Sequence, residues 1–166
     1  GQQAEIIGPG AVQEASAVMI REGGVYRLSG TAENGSVQVC APDAQTVKLI
    51  LDGLSLCSKE GPALRSTGGG KLILTLSAGT ANALTGGAYS DPQGQSSPAA
   101  LQTDGALTLN GGGALSIQSA PQGDGITAEG RLLLLDGSLQ ITAAGAGLCS
   151  GEALYAAGGF FTVDSL

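Results

Sequence analysis

Short Leu/Ile/Val segments recur at a spacing of 21 to 25 residues in the second half of this chain, separated by Gly-rich turns. Gly105-Ala106-Leu107-Thr108-Leu109 aligns with Gly130-Arg131-Leu132-Leu133-Leu134 and with Gly151-Glu152-Ala153-Leu154-Tyr155. The segments that follow align too: Ala114-Leu115-Ser116-Ile117 with Ser138-Leu139-Gln140-Ile141 and Phe160-Phe161-Thr162-Val163. A smaller apolar station precedes each repeat: Ala100-Leu101, Gly125-Ile126 and Gly147-Leu148. Three short strands per repeat, with no helical period between them, predict a solenoid coil. The expected fold is all-β, a parallel β-helix with one chain winding through every coil.

Glycine content favours this over helical repeats. The chain carries 29 glycines, each costing roughly 1 kcal/mol inside a helix, so they belong in turns. Within the strands apolar and polar residues alternate, as in Val47-Lys48-Leu49-Ile50-Leu51 and Leu54-Ser55-Leu56, which turns one face toward a common core. Coils stacked about 4.8 Å apart place each inward Leu on the next. Leu107, Leu109, Leu115 and Leu132 are expected inward, and Thr108 and Ser116 outward and tolerant of substitution. Reading the earlier segments the same way gives about six coils and a rod about 30 Å tall.

Composition narrows the function. Net charge is −7 with no His. The Lys/Arg clusters that nucleic acids and anionic membranes require are missing, as are the commonest general base and transition-metal ligand. Carboxylate chemistry with hard cations stays open. No apolar run approaches the roughly 18 residues of a membrane span. Aromatic residues are 3% of the chain, so Leu, Ile, Val and Ala must fill the core, and a monomer is expected. Cys40 and Cys57 follow strand ends about one coil apart and could pair; alternatively Cys40, Cys57 and Cys149 are all small semi-buried residues.

Residues 1–22 lack the coil pattern and read as a lead-in strand or cap over the open end of the solenoid, with the β-helix domain at 23–166. One long excursion interrupts the coils, from Gly86 to Pro98, and such loops on a solenoid carry binding groups.

The run Gly24-Val25-Tyr26-Arg27-Leu28-Ser29-Gly30, followed in order by Leu49-Ile50-Leu51-Asp52-Gly53-Leu54-Ser55-Leu56, Gly61-Pro62-Ala63-Leu64, Leu74 to Leu84, Leu107 to Ile117 and Asp124-Gly125-Ile126, resembles a bacterial carbohydrate-binding domain family built on a pectate-lyase-like right-handed β-helix. The resemblance covers about residues 24–163. It implies a single-stranded right-handed parallel β-helix in a secreted or cell-surface protein that binds calcium and plant-type polysaccharides such as cellulose or polygalacturonate, without an established catalytic role. One coil departs from the family's Asp-Gly-Ile pattern, with Ala146-Gly147-Leu148 in its place.

The repeat register nominates site residues. If Gly105 stacks on Gly130, Asp104 lies against Glu129 on the next coil. Two such carboxylates repel unless a cation or proton lies between them, and hard oxygen ligands suit calcium. Asp104 and Glu129, with help from Asp124, are therefore the metal candidates; the alternative is that they are solvated turn residues pointing apart. A second column places Asn110 over Asp136, continued by Asp52, where an Asx-Gly turn is the simpler explanation. For sugar recognition the candidates are Tyr89, Asp91 and Gln93 in the excursion, with Gln95 beside them, and Arg131 at the Asp104/Glu129 level.

Two other function classes fit the same residues. A calcium-dependent polysaccharide lyase needs a base, for which Arg131 is the nominee, and a glycosidase needs paired carboxylates drawn from Asp104, Asp124 and Glu129. A passive adhesin or spacer needs neither.

Overall fold

The computed structural model describes residues 5–7, 10–14, 16–88 and 99–165. Among them there is no helix, and so none long and apolar enough to cross a membrane. The chain opens with β1 (Glu5–Ile7) and β2 (Ala11–Glu14), then winds through stacked rungs. The first rung is β3 (Ala17–Ile20) and β4 (Gly24–Ala32), and the second is β5 (Ser36–Val39) and β6 (Thr46–Cys57). From the third rung each level has three strands: β7 (Leu64–Ser66), β8 (Lys71–Leu76) and β9 (Ala81–Thr85). The fourth is β10 (Leu101–Thr103), β11 (Ala106–Asn110) and β12 (Ala114–Gln118). The fifth is β13 (Ile126–Ala128), β14 (Leu132–Leu134) and β15 (Ser138–Ala143). The sixth is β16 (Leu148–Ser150), β17 (Leu154–Ala156) and β18 (Phe160–Ser165). Each strand runs parallel to its counterpart on the next rung, so the expected β-solenoid is the observed fold.

β6 passes from one face to the next without a break, as a twelve-residue strand. It bends at Gly53, whose φ of +73° lies in the left-handed region that other residues enter at a cost. Later rungs use the same corner as a true turn, so one long strand on rung two faces two short ones, β8 and β9, on rung three.

The core is a set of ladders. Val47, Leu72, Leu107 and Leu132 stack in register, as do Leu49, Leu74, Leu109 and Leu134, and all are buried. Leu115 is buried likewise and Ser116 is exposed, as the alternation requires. Tyr26 is wholly buried on the Leu49 ladder, with its hydroxyl donating to the Glu22 carbonyl at 2.9 Å. Burial pushes the Tyr26 phenol above its ordinary range, and the nearby Glu22 charge adds to the rise.

Several expectations need correction. Thr108 points outward but is only 5% exposed, because Ile73 and Leu133 sit beside it in register on the outer face. Asn110 does not lie over Asp136. With Leu109 against Leu134 and Ala114 against Ser138, Asn110 falls beside Leu135, and it accepts a hydrogen bond from Thr75 at 2.8 Å. Asp52 is taken by Arg27, at 2.6 Å. The three cysteines are free, and only Cys40 is half-buried. Within the segment read as a lead-in, β3 already runs parallel to β5, while β1 and β2 pair antiparallel with β4 and β3. In the sixth rung Leu154 and Val163 occupy inward positions yet are 44% and 47% exposed, since β16, β17 and β18 have a neighbouring strand on one side only.

Candidate functional site

Two corners of the solenoid flank the outer face formed by β8, β11, β14 and β17. At the corner that precedes these strands, Thr103 pairs with Ala128, so Asp104 and Glu129 follow at adjacent levels, about 4.8 Å apart along the stack. Only glycine fits the next position: a side chain on Gly105 would run into the Gly70 carbonyl of the rung beside it. The close backbone approach leaves the two acidic side chains at the rim. Asp104 Oδ2 accepts from the Gly68 amide at 3.3 Å. The Glu129 carboxylate has no hydrogen-bond partner among the described residues, while its backbone amide donates to the Thr103 carbonyl at 2.9 Å.

Beyond the glycines the outer face begins. Thr46, Lys71, Ala106, Arg131 and Ala153 fall in one column, and Lys48, Ile73, Thr108, Leu133 and Tyr155 in the next. The Arg131 Nε donates to Glu152 Oε2 at 3.3 Å, with both side chains well exposed, so the pair contributes at most about 1 kcal/mol and opens readily to a ligand. Over part of these columns lies a shallow groove of about 690 Å³, bordered by Lys71, Asp104, Glu129, Arg131, Leu133 and Glu152. Its floor includes Ala106 and the covered Thr108, whose hydroxyl has no hydrogen-bond partner among the described residues.

The sequence nominations divide in three. Asp104, Glu129 and Arg131 come together in this groove. Asp124 does not join them: it precedes the three-residue β13 whereas Glu129 follows it, so the two stand at opposite ends of that strand, no more than about 16 Å apart. Its Oδ1 instead accepts from the Ala146 amide at 2.7 Å, which ties one turn to the next. Among the described residues no three acidic or thiol side chains gather as a metal-binding group. Tyr89, Asp91, Gln93 and Gln95 lie outside the described residues.

Glu152, Leu133, Thr108 and Lys71 also line the groove, and the repeat register does not nominate them. The signal that finds Lys71 is a register match: Lys71-Leu72-Ile73-Leu74 pairs residue for residue with Ala106-Leu107-Thr108-Leu109. A further exposed aromatic, Phe160, stands 82% exposed beside Asp136 at the opposite corner, over a trough lined by glycines.

The groove presents carboxylates and cations together over a floor of small and apolar side chains, which suits a polyhydroxylated ligand that both donates and accepts hydrogen bonds. A family model described as carbohydrate-binding domain-containing protein matches residues 14–166, nearly the entire chain. Comparison with curated proteins gives no match, and neither does comparison with solved structures. The ladders that build the groove fall wholly within the matched span, and the chain belongs to the carbohydrate-binding domain-containing protein family.

Proposed function

We propose that this chain is a noncatalytic, secreted or cell-surface carbohydrate-binding protein that holds a plant-type polysaccharide, cellulose or polygalacturonate, in the groove of Asp104, Glu129 and Arg131. The observation that carries the reading is that groove, at which the family's carbohydrate-binding role meets side chains of both hydrogen-bonding senses. With an acidic polymer, Asp104 and Glu129 hold a calcium ion that bridges to the uronate, since two carboxylates one rung apart need a counter-charge between them. With a neutral polymer the same carboxylates accept from sugar hydroxyls directly.

Affinity electrophoresis or calorimetry against polygalacturonate, cellulose oligosaccharides and xylan, with and without calcium, tests the proposal. Saturable binding to one polymer that weakens in Glu129→Gln and Arg131→Ala supports it. Absence of binding throughout the panel points to a passive spacer, and ultraviolet-absorbing unsaturated product points to a lyase.

A further inference from the structure

Side-chain size alternates down the outer face. Thr46, Lys71, Ala106, Arg131 and Ala153 run small, long, small, long, small on consecutive rungs. Lys71 and Arg131 are thus two rungs apart, about 10 Å, with the methyl of Ala106 between them. That leaves a notch one rung wide, walled by the aliphatic stems of Lys71 and Arg131. It is closed at one end by Asp104 and the Gly105 corner.

Thr108 is the next outward residue on the same strand and lines the same groove. It is 5% exposed, and its Oγ1 is buried without a hydrogen-bond partner among the described residues. A buried hydroxyl left unpaired is a standing cost to the free protein. A 120° rotation about χ1 carries its hydroxyl into the position the methyl now holds and the methyl into that of the hydrogen, which offers the hydroxyl to a group seated over Ala106.

Charge narrows what that group can be. A polyanion entering the notch meets Asp104, Glu129 and Glu152, on a chain of net charge −7, and a polycation meets Lys71 and Arg131. A neutral polyol finds a partner at every one of these side chains.

Resting on the carbohydrate reading above, we infer that the notch over Ala106 seats a single uncharged pyranose ring between Lys71 and Arg131, with Thr108 as the residue that determines its specificity. The ring's C–H faces lie on the two stems. Its hydroxyls donate to Asp104 and Glu129 and pair with the Thr108 hydroxyl. One rung holds one ring, so affinity stops rising after the first residues of an oligosaccharide.

Calorimetry with glucose, β-1,4-linked glucose oligomers of increasing length and polygalacturonate tests the inference on the intact chain, with melting temperature read alongside. The expected result is neutral-sugar binding unaffected by a chelator, with affinity level beyond the shortest oligomers. Thr108→Val should lose about tenfold in affinity while its melting temperature stays level or rises, and Thr108→Ser should keep wild-type affinity. Ala106→Leu should fill the notch and abolish binding, and Ser116→Ala on the neighbouring face should change nothing. Wild-type affinity in both Thr108→Val and Ala106→Leu overturns the inference and leaves the carbohydrate reading standing. So does preference for polygalacturonate, or affinity that climbs with every added residue. Failure of the wild-type chain to bind any sugar overturns both.

Discussion

The side chain of Asn82 spans three rungs: its Oδ1 accepts from the amide of Leu54 at 2.9 Å and its Nδ2 donates to the Ala114 carbonyl at 3.1 Å. It is 4% exposed, in the inward column that Leu54 and Leu115 otherwise occupy. One amide thus bonds backbone groups on the rungs to either side of its own. Asn82→Leu therefore lowers stability by about 1–2 kcal/mol despite adding apolar surface, because it removes both of these bonds from a buried corner. Urea unfolding measures it, and a variant as stable as wild type would show that the two bonds contribute nothing net.

The stacked leucines supply most of the core. Leu→Ala at Leu107, Leu109, Leu115 or Leu132 should each cost about 2–5 kcal/mol, the transfer term plus the cavity left in a ladder that cannot collapse. Leu154→Ala, at the same inward position as Leu132 but 44% exposed, should cost distinctly less.

Tyr26 imposes an alkaline limit. Its phenol is raised in the folded state by burial and by Glu22, so folding favours the protonated form. That contribution is complete below the unfolded value of about 10 and is lost as pH climbs through the folded one. Melting temperature in Tyr26→Phe should then decline less steeply above pH about 10 than in the wild-type chain. At neutral pH the variant should be less stable by about 1 kcal/mol, for the lost hydrogen bond to the Glu22 carbonyl.

Calcium, if bound between Asp104 and Glu129, acts on a core that is already complete. Titration should raise the melting temperature gradually by mass action, with no unfolded-to-folded transition. The Asp104→Asn, Glu129→Gln double variant should lose the rise; persistence of the full rise in that variant would move the ion elsewhere. Asp124→Asn should leave it intact, since Asp124 lies at the far end of β13.

All three thiols should titrate with a disulfide reagent in the unfolded chain. In the native state Cys57 and Cys149 are exposed and should react first, with half-buried Cys40 trailing. A count of one in the unfolded, unreduced protein would reveal a disulfide.

Part of this protein was legible in its residues alone. Alternation in Leu107-Thr108-Leu109 and Leu115-Ser116-Ile117 determines which side chains face inward, because strand periodicity is two and a slip by one residue would bury the polar set. Repeated Gly-x-Leu-x-Leu stations at Gly105 and Gly130 determine that these rungs stack, and with them the adjacency of Asp104 and Glu129, since both sit one position beyond a paired strand; the Gly151 station is one residue out, because Leu132 pairs with Leu154 and not with Ala153.

Other features depend on what neighbouring rungs contribute. Thr108 is buried by Ile73 and Leu133, residues 35 and 25 positions away in the sequence. Asn110 misses Asp136 because its turn holds one residue more than the turn above it. Asp124 and Glu129 are close in sequence and far apart in space, because an extended strand separates its ends by the greatest distance a chain allows. The sequence by itself determined the fold class, the inward face and the stacking of like residues, all of which follow from local period. The placing of Lys71 and Arg131 on either side of Ala106, the cover over Thr108 and the reach of Asn82 come from the packed rungs alone, since lateral register depends on the length of every turn between rungs.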